Sequence, residues 1–216
     1  MSGLDGAQLW LVRHGETEWS ASGRHTSRTD LPLTPTGEAQ AIAIGRMLAG
    51  DGPDAASAYV LSSPMHRARE TARLAGLTVD EIDDDLREWD YGEYEGRTSA
   101  GIRAERPDWE LWTDGAPGGE QPPDVAARAD RVLNRARELL PDHPVVVVAH
   151  GHICRMIGGR WIGLGPSGGR HLLLATAAPS LLSEQYGVPV IDRWNLRTPS
   201  LRAHPDSATA NRNPGD

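Results

Sequence analysis

The chain has 216 residues, enough for one α/β domain or two small ones and for a core that needs no covalent staples. Its single cysteine, Cys154, excludes an internal disulfide framework, and a formal charge of −8 at pH 7 argues against a surface built to bind nucleic acid. No run of about 18 apolar residues exists, so no membrane-spanning helix is expected; "MSGLDGAQ" lacks the basic and apolar regions of a signal peptide, and the cytoplasm is the expected location.

A polar lead, 1–7, precedes the strand candidate "QLWLV" (8–12). Residues 20–34 read as a loop around Gly23, Asp30 and Pro32. The stretch 34–50 reads as a helix with Thr34 as N-cap, Pro35 in the first turn and Gly50 at the end; Ala39, Ile42, Met47 and Leu48 supply its apolar face. A second strand, 58–63, leads through Ser63 and Pro64 into a helix that stops at Gly76. A third strand is expected at 77–83, then an acidic turn at Asp83–Asp85 and an irregular loop, 86–98, rich in aromatic, charged and glycine residues. Residues 98–112 suggest a short helix broken by Pro107, and 114–124 a loop. A long helix, 124–140, runs into "PVVVVAHGH", whose unbroken apolar run marks a central parallel strand covered on both faces. A helix over 153–163 and strands within 170–186 and 188–195 follow; from about 203 the chain reads as a disordered tail. Alternating strands and helices predict an α/β sheet with parallel neighbours, and a single domain over 1–202.

Two of these strands end alike, one at Arg13-His14-Gly15 and the other at His150-Gly151-His152. Ligands of open α/β sheets gather at the carboxyl ends of strands, so the two histidines are expected side by side, with glycines that let a ligand approach the backbone. Arg67 falls in the first turn of the third helical segment, where a guanidinium suits a phosphate oxygen pair. Glu88 sits beside Trp89 and Tyr91, and an apolar setting would raise its pKa and fit it as a general acid. A nucleophile (His14), a clamp (Arg13, Arg67, His150) and an acid (Glu88) are the groups that phosphoryl transfer through histidine needs.

The blocks "LVRHGETEW", "LSSPMHRARETA", "LREWDYGEYEG" and "VVVVAHGH", in this order, resemble the histidine phosphatase superfamily, with its phosphoglycerate mutase-like proteins, over roughly residues 8–178. The resemblance implies a three-layer α/β sandwich whose mixed, mainly parallel central sheet is flanked by helices, a phosphohistidine intermediate, and no metal or other cofactor. It implies His14 as the phosphorylated residue, Arg13 and Arg67 on the phosphoryl oxygens, His150 as the second pocket histidine, and Glu88 as proton donor and later activator of water. Gly15, Ser20, Arg24, His25, Thr26, Tyr91 and Gly151 are the matching substrate-binding positions; Ser20 stands where many mutases carry asparagine. The segment 97–121 has Ser99 about where mutases carry a lysine and lacks their paired arginines, which favours hydrolysis over mutase transfer. The match is best to actinobacterial acid phosphatases and to the fungal sedoheptulose-bisphosphatase type. A second phosphate site would draw on His25, Arg28 and His152. The expected partner is a small phosphorylated substrate, and a homodimer is the candidate assembly. His150-x-His152 also has a metal-ligand spacing, yet no HExxH or cysteine pair accompanies it. A non-catalytic phospho-ligand module is the reading from another class, and the complete set of catalytic positions speaks against it. Trp109, Trp112, Trp161 and Trp194 read as packing residues, Trp19 and Trp89 as pocket neighbours, and Cys154 as a buried small hydrophobe.

Overall fold

A strand buried on both faces must carry apolar side chains on both, and two segments of this chain do. In β1 (Leu9–Arg13), Leu9 and Leu11 point to one side and Trp10 and Val12 to the other; in β4 (Val145–Ala149), valines serve both sides. The computed structural model describes residue 6 and residues 8–53 and 56–197. Most of the polar lead and the tail from 203 lie outside the described residues.

Among the described residues one sheet runs in the order β3-β2-β4-β1-β5-β6, with β2 (Tyr59–Ser62), β3 (Glu81–Ile82), β5 (Pro179–Gln185) and β6 (Val188–Arg193) completing it. The pairs β3–β2, β2–β4 and β4–β1 are parallel, whereas β5 and β6 are antiparallel. This is the expected three-layer sandwich. On one face Trp10, Val12, Val146 and Val148 pack against Ile44 and Leu48 of α2 (Pro35–Asp51) and Ala68 and Ala72 of α3 (His66–Leu74). On the other, Leu9, Leu11, Val145 and Val147 meet Val132 and Leu133 of α6 (Pro122–Leu139) and Ile153 and Ile157 of α7 (Gly151–Trp161). Three short helices, α1 (Glu18–Ala21), α4 (Ser99–Glu105) and α5 (Leu111–Asp114), close the end that carries the site.

Helix ends follow the expected chemistry. Thr34 caps α2 by accepting from the Gly37 N–H, with Pro35 just inside. The buried face of α2 is turned from the expected one: Ala41, Ile44 and Leu48 are buried and Ile42 is exposed, because the Gly37 end of the helix is pulled onto the backbone of Glu16. The strand expected at 77–83 shrinks to Glu81–Ile82, since the Asp80 carboxylate takes the Val60 N–H that a strand carbonyl would otherwise accept. The helix expected at 98–112 is two helices. Arg106, ahead of Pro107, is extended and stops α4. Residues 172–174 are not strand: the Leu173 and Leu174 carbonyls accept from Trp194 and Arg13 side chains. Trp109, Trp112 and Trp161 are core residues, as expected, and Trp194 packs against them half-buried.

Gly37 and Gly15 let two backbone segments touch. A Cβ on Gly37 would lie 2.1 Å from the Glu16 carbonyl oxygen, and one on Gly15 2.4 Å from the Gly37 carbonyl oxygen. Gly15 therefore serves chain packing, and its N–H donates to Thr71. Gly37→Ala should cost about 1–3 kcal/mol or more, since the neighbour is backbone and cannot yield. Urea unfolding of the variant checks this, and an unchanged midpoint would mean that the contact relaxes freely.

Candidate active site

The parallel register of β1 on β4 pairs Arg13 with Ala149, so the residues that follow emerge at one level. The His14 and His150 rings lie edge to face with centroids 5.2 Å apart. The His14 N–H donates to the Ala149 carbonyl, which extends the ladder one step and fixes where the ring starts. Its Nδ1 lies 2.7 Å from the Gly15 carbonyl oxygen. A carbonyl only accepts, so Nδ1 carries the proton and Nε2 keeps its lone pair. Burial, then the charges of Arg67 and Arg13, push the His14 pKa down to about 3, so the imidazole is neutral and nucleophilic at physiological pH.

A cavity of about 190 Å³ opens in front of it. Of the expected residues, Arg13, His14, Ser20, Arg24, His25, Thr26, Glu88, Tyr91 and Gly151 all reach its wall. Arg13 donates through Nη1 to the Leu174 carbonyl, while its buried Nε has no partner among the described residues. An unsatisfied buried guanidinium N–H is costly, and here it belongs to an arginine that lines the pocket beside His14, so the group keeps unused donor capacity there. Gly151 leaves room for that guanidinium, because a Cβ there would meet it at 3.3 Å.

Three expected residues lie behind the wall. Gly15 packs as described. His150 is fully buried; its Nδ1 accepts from Arg67 Nε at 3.2 Å and its Nε2–H donates to Ser63 Oγ at 2.8 Å. Arg67 is fully buried too, and it is not a free clamp. Its remaining N–H groups go to the carbonyls of Thr26, Ser27 and Thr29 and to Asp30, so it straps down the 26–30 loop. Its positive charge acts on the site from behind. Ser20 faces the pocket, but its hydroxyl closes a capping box with Thr17.

Glu88 differs from expectation in its chemistry. Burial alone would raise its pKa, but the hydrogen bonds it receives at His152 outweigh burial and hold the carboxyl well below the usual range. Its oxygens accept from the N–H groups of Trp89, His152 and Ile153, the last two in the first turn of α7. A helix N-terminus favours an anion, so the aromatic surroundings lose to the backbone donors. Trp89 turns its Nε1–H to the Glu120 carbonyl and packs edge to face on Trp112 in the core, not in the pocket. Trp19 lies against Gly96, also off the wall. Cys154 is buried, and burial raises its thiol pKa.

His14 and Arg13 thus leave the end of β1, and Glu88 of the 86–98 loop reaches the same cavity, with Arg67 of α3 behind it. The sequence model of the histidine phosphatase superfamily (branch 1) matches residues 9–197. The chain belongs to that superfamily. It is similar to an acid phosphatase of Mycobacterium tuberculosis, 40% identical with 96% of this chain and 99% of the relative covered. It is also similar to sedoheptulose 1,7-bisphosphatase of Saccharomyces cerevisiae, 39% identical with 72% of this chain and 67% of the relative covered. The solved structure of an open reading frame product from Mycobacterium tuberculosis superposes with a TM-score of 0.85 at 41% identity, covering 88% of this chain and 97% of that one. The α/β fold and the phosphatase class thus agree with the sequence reading.

This histidine phosphatase also carries wall residues that were not singled out for this pocket: Ser99, Leu174 and Arg155. Arg155 had a signal. It lies four residues past Gly151 and three past His152 on one helix, so all three share a face. Arg28 takes no part in the pocket, because its guanidinium pairs with Asp90.

The buried histidines make stability depend on pH. Burial is the leading cause in each: His14 is pushed to about 3, His25 to about 4 and His150 well below its ordinary value. The unfolded chain binds these protons near pH 6.5 and the folded chain does not, so stability is full above about 6.5 and falls as pH drops. Tm measured by calorimetry should be lower at pH 4.5 than at pH 7.5 by about 5 °C or more. A flat Tm over that interval would contradict neutral buried histidines.

Proposed function

We propose that this enzyme hydrolyses small phosphomonoesters by two successive phosphoryl transfers through His14. The observation that carries the reading is that a ring whose Nε2 lone pair is free and an incompletely hydrogen-bonded Arg13 guanidinium line one pocket. In the first transfer, His14 Nε2 attacks phosphorus, the bond to the ester oxygen breaks, and Glu88 gives a proton to the departing alcohol. In the second, water attacks the phosphohistidine, the P–N bond breaks, the Glu88 carboxylate takes the water proton, and inorganic phosphate leaves as the monoanion with that proton, which returns Glu88 to its carboxylate. Arg13 holds a phosphoryl oxygen, and Arg67 and His150 support the charge from behind. The same reading places the enzyme in the cytoplasm, acting on phosphorylated metabolites.

The low pKa of Glu88 sets the proton source. Burial is outweighed by the His152 contacts, so the free enzyme carries a carboxylate at working pH. The substrate therefore brings the proton: it binds as the monoanion and its proton passes to Glu88, whose affinity for it rises beside the phosphoryl group. Phosphomonoesters lose that proton near pH 6.

His14→Ala should lower kcat by about 10³-fold or more, and Glu88→Gln by about 10²–10⁴-fold. Acid-labile, alkali-stable label from a ³²P-monoester should be trapped on the parent enzyme by rapid quench and be absent from His14→Ala. Label on both, or phosphoglycerate mutase turnover that outpaces hydrolysis, would overturn the assignment.

The kcat/KM profile should be flat on its acid side and fall about tenfold per unit above pH 6. Its descending limb should move with the second pKa of the ester used. A limb that stays fixed when the ester is changed would assign the proton to the enzyme instead.

A further inference from the structure

The two arginines of the site are held very differently. The Arg67 guanidinium is fixed by three loop carbonyls. The Arg13 guanidinium lines the pocket, yet among the described residues its one hydrogen bond runs from Nη1 to the Leu174 carbonyl, at 2.7 Å. A long side chain held by one bond points wherever its acceptor stands. That acceptor lies in an irregular stretch, 172–175, with no strand ladder to place it. The segment after β6 places it instead. The peptide unit that carries the Leu174 carbonyl also carries the Ala175 N–H, and this N–H donates to Asn195 Oδ1 at 2.9 Å. A peptide unit is planar, with its C=O and N–H on opposite sides, so it cannot turn without straining both bonds. One peptide earlier, the Leu173 carbonyl accepts from the Trp194 Nε1–H at 2.6 Å. An unbroken line thus joins Asn195 Oδ1, the Leu174–Ala175 peptide and Arg13 Nη1, and hydrogen bonds in such a line polarise one another.

Asn195 is itself anchored. Its N–H donates to Ser180 Oγ at 3.0 Å, and the Leu196 N–H donates to the Pro179 carbonyl at 2.9 Å. Both acceptors open β5, where Pro179 pairs with Val12, the neighbour of Arg13 in β1. Asn195 has φ +56°, a left-handed conformation that asparagine adopts more readily than most residues. The Trp194 ring lies across Gly158 of α7, where a Cβ would meet it at 2.7 Å. Neither Trp194 nor Asn195 lines the pocket. We propose that Asn195, with Trp194 beside it, is a positioning residue for catalysis: it aims the Arg13 guanidinium through the Leu174–Ala175 peptide and so sets how tightly the pocket holds a phosphoryl group. The inference rests on the reading that Arg13 holds a phosphoryl oxygen, and it adds the residues that keep Arg13 in place.

The test is a double-mutant cycle read as kcat/KM on p-nitrophenyl phosphate and as the inhibition constant of inorganic phosphate. Asn195→Ala should lower kcat/KM and weaken phosphate inhibition, each by about five- to tenfold, the weight of one hydrogen bond. Asn195→Asp keeps an acceptor at the same reach and should stay within about twofold of the parent. In an Arg13→Ala background, Asn195→Ala should change kcat/KM by less than about twofold, because the group it aims is gone. Trp194→Phe keeps the ring and removes the Nε1–H; it should give the same coupled pattern at smaller size, and it keeps the test decisive if Asn195→Ala folds poorly. Equal losses from Asn195→Ala in both backgrounds, no loss in the parent, or a loss from Asn195→Asp as large as from Asn195→Ala would overturn the positioning role while leaving hydrolysis through His14 standing. An Arg13→Ala variant with parental kcat/KM would instead fault the role of Arg13 on the phosphoryl group, and the inference with it.

Discussion

The parallel register of β1 on β4 is the constraint on which the site depends. Arg13 pairs with Ala149, so the chain leaves both strands at the same height and sets His14 beside His150. A slip of one residue would turn every inward side chain outward, and both faces of these strands are buried, which makes a slip prohibitive. The apolar runs "LWLV" and "VVVVA" are thus the reason the histidines can be aimed: they anchor rigid posts in two cores at once. Each polar residue at the mouth inherits its position from an apolar residue below it.

Proton positions at the mouth follow from backbone carbonyls and N–H groups more than from side-chain pairs. The Gly15 carbonyl chooses the His14 tautomer, the α7 N-terminus keeps Glu88 ionised, and loop carbonyls hold the Arg67 guanidinium. Backbone groups carry no net charge. They can orient a cation without cancelling it, and they can stabilise a carboxylate without placing a lysine or arginine beside it. Desolvation strengthens each of these interactions, and it also makes the neutral form of the buried histidines the stable one.

The sequence displayed some of this and concealed the rest for identifiable reasons. Strands β1, β2 and β4 and helices α2, α3, α6 and α7 were legible from apolar runs, caps and proline. Residues 77–83 and 172–174 were not, because side chains of Asp80, Arg13 and Trp194 take main-chain partners there, and no periodicity records that. His14, Arg13 and Glu88 were legible as types in order. The ionised state of Glu88 was hidden, since its donors are backbone N–H groups from a helix that starts 63 residues later, at Gly151, and only folding brings them to it. The enclosure of Arg67 was hidden in the same way, its partners being carbonyls of the 26–30 loop. Arg155 shares a helical face with His152, so the spacing carried the signal, but the resemblance drew attention to the His-Gly-His end instead.

An acidic chain with a net charge of −8 must still attract a phosphate ester, and the arrangement of its ion pairs explains how. Some of its carboxylates are held in pairs away from the pocket wall: Asp85 with Arg131, Glu81 with Arg135, Glu120 with Arg128, and Asp130 with Arg160. At the mouth the balance reverses. Arg13, Arg24 and Arg155 line the pocket, and Glu88 is the only carboxylate on that wall among the described residues. A pocket with low-dielectric walls focuses such a field, so a local excess of cations outweighs a diffuse excess of anions screened over the rest of the surface. Glu88 can remain in that field because the helix N-terminus, rather than the arginines, satisfies it. The arginines therefore stay available to an anion that enters the pocket, and the carboxylate shares the wall without consuming them.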